Sequence, residues 1–479
     1  MGKKTTIDSF GKSTADKNKG TPVKSNTEIW KIEIIRLASD GTGVGYLDGK
    51  ATFVPGLLPG EIGRIRIKEQ KKKYQRAELL EILRTAPERQ TPLCKVYAQC
   101  GGCALQHMNY EYTLFWKRQW VEDALRRIGG LTNVTVEPVI GLQNPWRYRN
   151  KAVLHRDGEG RFGYYKEKTN EVVRFEDCPL LSEATNERIR CLQKFLGKNH
   201  PDIKKATFRE SSNGEGLVIL EGEKSFYLTD KELAEFSPES PALNLPRGIS
   251  LERDIDLERG LNRETEGDSK KIYLLESIGD LTFRVSPQAF LQVNPQQTEK
   301  LYSLVLEFAQ LQGTEHVWDL YCGVGTITLL LAQKASQVVG IEENPQAVQD
   351  AILNARENGF ENVIFRQGKV EQELATLNGV PDLVVVDPPR SGMDKSVIEK
   401  LLELKPPRII YVSCNPATLA RDLKMLVSGE GGNDGRREFK ERENTTARGV
   451  YAVEKVQPVD MFAWSHHVEC VTLMSRVEK

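Results

Sequence analysis

The sequence has no uninterrupted apolar run of about 18 residues, so it contains no obvious membrane-spanning helix. Its opening, "MGKKTTIDSFGKSTADKNKG", lacks the apolar centre of a secretory leader and reads as a solvated tail. Internal repeats are absent. Net charge is absent too, with 67 Lys+Arg against 67 Asp+Glu. A cytoplasmic protein is expected. Cysteine is scarce, at 8 in 479 residues, and in that compartment thiols point to metal binding or catalysis before disulfides.

The neutral total conceals an uneven distribution. Residues 1–130 carry 23 Lys+Arg against 14 Asp+Glu, whereas residues 211–270 carry 7 against 14. A basic front end suits a polyanion such as RNA, although a solvated surface would look the same.

Four zones follow from the patterning. After a tail at 1–27, short alternating segments punctuated by Gly and Pro predict a small β-barrel over 28–89. The basic stretch Lys68, Lys71, Lys72, Lys73 and Arg76 is expected on one of its hairpins. A central domain, 90–288, holds a cysteine cluster, an amphipathic helix near 110–128 and an acidic insertion near 221–270. From 289 to 479, apolar runs such as "DLVVVDPPR" and "RIIYVSCNP" alternate with helical segments. That alternation predicts a doubly wound, mostly parallel α/β sheet, with a loop insertion near 428–450.

Ligands of such sheets bind beyond the carboxyl ends of the strands. "DLYCGVGT" (residues 319–326) is a strand entering a glycine turn, Glu342 ends the next strand, and Asp387 ends the fourth. The third glycine of the dinucleotide fingerprint is missing, which favours a nucleoside without a pyrophosphate, and S-adenosylmethionine is such a ligand.

Cys414 stands where the fifth strand gives way to a helix opened by Asn415–Pro416, and that helix N-terminus is expected to lower the thiol pKa. A buried structural cysteine is the plainer alternative. A thiolate beside a methyl donor suits one particular reaction. Carbon 5 of uracil becomes nucleophilic once a thiolate has added to carbon 6, and a base must later remove the carbon 5 proton. "WSHHVECVTLM" offers Glu469, His467 and His466 as candidates for that base.

"SCNPATLARDL", "DLYCGVGTITL", "DPPRSG", "FLQVNPQQTEKLY" and "HHVECVTLM" together resemble the RNA (uracil-5-)-methyltransferases, over essentially residues 28–479 apart from the two insertions. The barrel resembles a TRAM domain, and the four-cysteine set makes the 23S rRNA-modifying branch the closer likeness. The resemblance implies that Cys414 is the nucleophile and Glu469 the base. It also implies that Gln292, Tyr321, Glu342 and Asp387 hold S-adenosylmethionine. Some relatives use two asparagines at places where Thr326 and Lys369 stand here, and those roles are not transferred.

Cys94, Cys100 and Cys103 in "CKVYAQCGGC", with Cys178 in "FEDCPL", could form a four-sulfur site. Spacing alone leaves zinc and iron–sulfur both open. The resemblance implies a [4Fe–4S] cluster. Aromatics and cations alternate in "WRYRNKAVLH" (146–155) and "RFGYYKEK" (161–168), which suits either RNA stacking or strand packing. RNA is the expected partner, with 23S rRNA favoured over tRNA, no membrane contact, and a monomeric chain. Two rival readings remain: an exocyclic amine methyltransferase using the "DPPR" loop, and a non-catalytic RNA-binding iron–sulfur protein.

Overall fold

The computed structural model describes residues 28–196, 200–222, 250–253, 273–287, 289–429 and 449–477. The predicted tail at 1–27 and the bulk of the 221–270 and 428–450 insertions lie outside the described residues. The chain divides into two units, one including Thr42–Pro87 and the other beginning at Glu88.

The first unit is a closed barrel of β1 (Ile29–Leu37), β2 (Gly43–Leu47), β3 (Lys50–Val54), β4 (Ile62–Gln70) and β5 (Tyr74–Arg84), in the order β1-β2-β3-β5-β4. Alternate residues of β1 and β4 point inward, so that Ile32, Ile34 and Ile65 join Val54, Leu57 and Ala77 in its core. The basic stretch spans the β4–β5 hairpin. Lys68 on β4 pairs across to Glu78 on β5 at 2.8 Å, and Lys71 in the turn pairs back to Glu69 on β4 at 2.9 Å.

In the second unit, β6 (Lys151–Arg156), β7 (Phe162–Tyr165), β8 (Val172–Arg174), β9 (Ile203–Glu210), β10 (Gly216–Gly222) and β11 (Ser250–Arg253) make a six-stranded sheet. The helix Glu183–Leu196 covers it, packing Ile189, Leu192 and Leu196 against Leu154, Phe208 and Val218. Several aromatics of the two aromatic–cationic segments pack inward, while Tyr165 stays exposed. Tyr148 and Phe162 are buried, Tyr164 stacks on Phe175, and Trp146 stacks on Trp464 at 4.5 Å. A hairpin of β12 (Leu274–Ile278) and β13 (Leu281–Val285) follows.

The remaining sheet has seven strands: β14 (His316–Leu320), β15 (Gln337–Glu342), β16 (Val363–Gln367), β17 (Leu383–Val386), β18 (Arg408–Ser413), β19 (Tyr451–Val459) and β20 (Glu469–Arg476). Their order is β16-β15-β14-β17-β18-β20-β19; the first five run parallel, and β20 is antiparallel to both β18 and β19. Burial on both faces explains the continuous apolar runs. Val317, Val385 and Ile410 enter the core on one side, while Trp318, Val384 and Tyr411 enter the core on the other. Three helices at this sheet open with Asn–Pro. Asn294, Asn344 and Asn415 each cap the first turn with a side-chain oxygen, and the following proline supplies a φ already suited to a helix.

Candidate active site

Sheet register brings the predicted side chains together. Leu320 pairs with both Ile341 and Val386, so Tyr321 emerges between Glu342 and Asp387 at the carboxyl edge. Ser413 pairs with Cys470 in an antiparallel ladder, which sets Cys414 directly across from Glu469. Residues at the ends of five adjacent strands, β15-β14-β17-β18-β20, thus share one edge.

The Tyr321–Glu342 end of this edge is built around backbone amides. Glu342 accepts the Gly323 amide at 3.0 Å and the Asn344 amide at 2.8 Å, bracing the glycine turn. Gly325 adopts φ 83°, and a Cβ there would stand 3.1 Å from Phe365 and 3.2 Å from Ala351, so glycine is required twice over. Tyr321 has φ 69°, a costly conformation for an aromatic residue and one typical of functional turns. Gln292 is only 6% exposed, yet its side-chain amide has no hydrogen-bond partner among the described residues. Asp319, quoted in the glycine motif without a role, is fully buried. One of its oxygens accepts from Thr328 Oγ1 at 2.5 Å and the other has no protein partner. Burial raises the Asp319 pKa to about 7.

At the other end, burial raises Asp387 to about 7 and Glu469 to about 8, the latter helped by the Asp387 charge and opposed by Arg390. Cys414 departs from expectation. Its thiol is raised to about 11, because burial and the neighbouring Glu469 and Asp387 carboxylates outweigh Arg390 and the nearby backbone donor. The helix N-terminus therefore does not by itself make a thiolate. His467 is held neutral, its pKa lowered to about 3 by burial, His466 and nearby cations including Arg390. The exposed Arg390 carries a positive charge that favours ionisation of Cys414 and Glu469 and opposes protonation of both histidines. "DPPR" contains this arginine, but its effect on the thiol arises only in the tertiary structure. Asn415 Nδ2 donates to the Arg390 carbonyl at 3.2 Å and so ties this loop to the turn after Cys414.

Four of the other seven cysteines also meet. Cys94, Cys100, Cys103 and Cys178 line a single cavity of about 120 Å³ together with Tyr97, Arg149, Tyr164 and Leu180. Gln106 Oε1 accepts the Cys94 amide at 3.1 Å, and Arg147 donates to the Cys178 carbonyl at 3.0 Å, which fixes both ends. Burial raises Cys103 to about 12 and Cys178 to about 11, and raises Cys100 as well. Among the described residues, no three His, Cys, Asp or Glu side chains converge as ligands of one metal ion would. The sulfurs surround a space instead of a point.

The family profile described as tRNA (Uracil-5-)-methyltransferase matches residues 274–430, and that of the TRAM domain matches residues 27–80. Over 475 residues the chain is 38% identical to an uncharacterised RNA methyltransferase of Halalkalibacterium halodurans, covering 95% of this chain and 98% of that one. The chain belongs to the RNA uracil-5-methyltransferase family. A second relative, an uncharacterised RNA methyltransferase of Bacillus cereus, is 38% identical over 479 residues, covering 96% of this chain and 99% of the relative. Among solved structures, the tRNA (uracil-54, C5)-methyltransferase of Pyrococcus abyssi in complex with S-adenosyl-L-homocysteine aligns with a TM-score of 0.67 and 27% identity. That alignment covers 92% of this chain and 99% of the other. This uracil-5-methyltransferase is accordingly an S-adenosylmethionine-dependent RNA-modifying enzyme with a TRAM barrel and a methyltransferase sheet. Among its described helices, none is long and apolar enough to cross a membrane.

Proposed function

We propose that the enzyme methylates carbon 5 of a uridine in 23S rRNA through a covalent adduct between Cys414 and carbon 6 of the base. The observation that carries this reading is the antiparallel register that sets Cys414 opposite Glu469, with Asp387 and Arg390 beside them. Cys414 sulfur bonds to carbon 6 and the carbon 5–carbon 6 double bond opens to an enolate. S-adenosylmethionine supplies an electrophilic methyl group on a sulfonium. Carbon 5 takes that methyl as the sulfonium S–CH3 bond breaks to leave the neutral thioether S-adenosylhomocysteine. Glu469 removes the carbon 5 proton, and the electrons re-form the double bond as the Cys414 sulfur departs as thiolate. With a pKa of about 8, Glu469 is a stronger base than an ordinary carboxylate. Arg390 favours the thiolate that the carboxylates oppose.

Gln292, Tyr321, Glu342 and Asp387 are assigned to the S-adenosylmethionine site. The open space beside Gly323, at the turn that Glu342 braces, suits a polar nucleoside there. The domain assignment is 28–89 for the TRAM barrel, 90–288 for the central domain and 289–479 for the catalytic domain. Cys94, Cys100, Cys103 and Cys178 are assigned to a [4Fe–4S] cluster. Four soft thiols lining one cavity are the donor set that such a cluster takes, and the family resemblance favours it over zinc. Such a cluster would cross-link the 94–103 segment to Cys178, and no reaction step runs through it.

A tRNA substrate is the second reading, favoured by the likeness to the Pyrococcus abyssi enzyme. Mapping 5-methyluridine in the rRNA and tRNA of a deletion strain decides between them. Loss confined to tRNA removes the rRNA assignment. Retention of every 5-methyluridine, with methyl lost from an exocyclic nitrogen instead, removes the whole reading.

A further inference from the structure

The connection from β19 to β20, residues 460–468, has no regular structure, yet Asp460, Met461, Ala463, Trp464 and Val468 are all buried. Loops normally stay at the surface, because buried backbone groups need partners. Here four consecutive carbonyls each have one. Asn294 Nδ2 donates to Met461 at 3.2 Å, Lys117 Nζ to Phe462 at 2.9 Å, and the Tyr148 hydroxyl to Ala463 at 3.0 Å. The Ala104 and Leu105 amides both donate to the Trp464 carbonyl, at 2.9 and 3.0 Å.

Trp464 is where the loop turns. It is 2% exposed and adopts φ 65°, a conformation that a bulky residue holds only when its surroundings impose it. The indole nitrogen donates to the Pro145 carbonyl at 2.9 Å. The ring stacks on Trp146 at 4.5 Å and 22°, with Tyr110 at 5.4 Å on an inclined plane. Just upstream, Asp460 forms a fully buried ion pair with Lys117 and accepts the Tyr110 hydroxyl at 2.6 Å. Downstream the chain passes His466 and His467 and enters β20 at Glu469.

We propose that Trp464 is a positioning residue that sets Glu469 against the methylated carbon. The inference rests on the reading of Glu469 as the base. Register within β18–β20 fixes which residue lies opposite Cys414, but the entry angle of β20 depends on the turn before it. That turn is strained at one residue and held from outside by residues 104–105, 110, 117, 145–148 and 294. The two amides that hold Trp464 follow directly on Cys103, so the segment bearing three of the clustered cysteines also anchors the catalytic loop.

The test uses the full-length protein, tritiated S-adenosylmethionine, and transcribed 23S rRNA and bulk tRNA as probes. Trp464→Gly keeps the backbone conformation accessible while removing the ring, and Trp464→Phe keeps the stack. In Trp464→Gly, S-adenosylmethionine affinity stays at the native level while turnover falls about 10²-fold, the scale of a misplacement near 1 Å. Denaturant-resistant protein–RNA adduct accumulates, and deuterium uptake rises across 460–469. Trp464→Phe restores turnover. Native turnover in Trp464→Gly, or a slow variant with neither adduct nor raised uptake, overturns the proposal.

Glu469→Gln is run alongside. If it builds up no adduct, the base assignment itself fails. If it does and Trp464→Gly does not, only the positioning role fails. Should Trp464→Gly not fold, Tyr148→Phe removes a single donor to the loop and decides alone. A raised adduct fraction supports the proposal, and a native fraction overturns it.

Discussion

At the scale of single residues, the site is a set of acids kept from ionising. A half-buried thiol raised to about 11 beside carboxylates raised to about 7 and about 8 is not poised for attack until positive charge enters the crevice. A sulfonium ligand and Arg390 both bring it. Cys414→Ala is therefore expected to abolish methylation and the capture of 5-fluorouridine RNA while leaving S-adenosylmethionine binding intact; continued turnover would falsify the nucleophile. The carboxylates also carry a stability signature. Unfolded, Asp387 ionises near its ordinary 3.8, whereas folded it holds its proton to about 7. Its contribution is complete below about 4 and is lost as pH rises through about 7. Asp387→Asn should thus gain stability relative to the native protein at pH ~8.5 compared with pH ~5. Calorimetric melting at both values reads the difference, and an identical shift at the two refutes it.

Among elements, the helix Tyr110–Ala124 matters most to the catalytic edge. Its Lys117 is completely buried against Asp460, and burial lowers the lysine pKa while the carboxylate opposes that loss. Removing one partner of a buried pair leaves the other charge without compensation. Lys117→Met should therefore destabilise the protein by about 3–5 kcal/mol in urea unfolding. A loss no larger than that of a surface substitution would mean the pair is solvated. The cysteine segment behaves as a second clamp. Cys100→Ser should remove the broad visible absorbance of an iron–sulfur protein; native protein that is colourless and zinc-loaded would refute the cluster.

For the molecule as a whole, the basic front end is where RNA contacts are to be tested. Lys68 and Lys71 already pair with glutamates on the β4–β5 hairpin, so Lys72 and Lys73 at its turn are the better candidates for phosphate contacts. Reversing both to Glu should weaken RNA binding and flatten its salt dependence by about 0.7 log units per lost contact. S-adenosylmethionine affinity should be untouched. Filter binding across salt concentrations measures this, and an unchanged slope would move the contacts elsewhere.

The barrel and the doubly wound sheet were legible from sequence because each has a period the chain writes out residue by residue. Fully buried strands give unbroken runs such as "LVVVD", and Asn–Pro marks a helix start with a cap and a fixed φ. The glycine turn and the strand-end placement of Cys414 and Glu469 could be read from the sequence, and their roles rest on the family resemblance and on the proposed reaction. Arg390, the orphaned oxygen of Asp319, the raised thiol and the Trp464 turn were not. Each depends on which groups lie within a few ångströms across the fold, in a low dielectric that only packing creates. "WRYRN" read equally well as an RNA face or a core, and the tertiary structure alone turned Trp146 and Tyr148 inward against the loop that leads to Glu469.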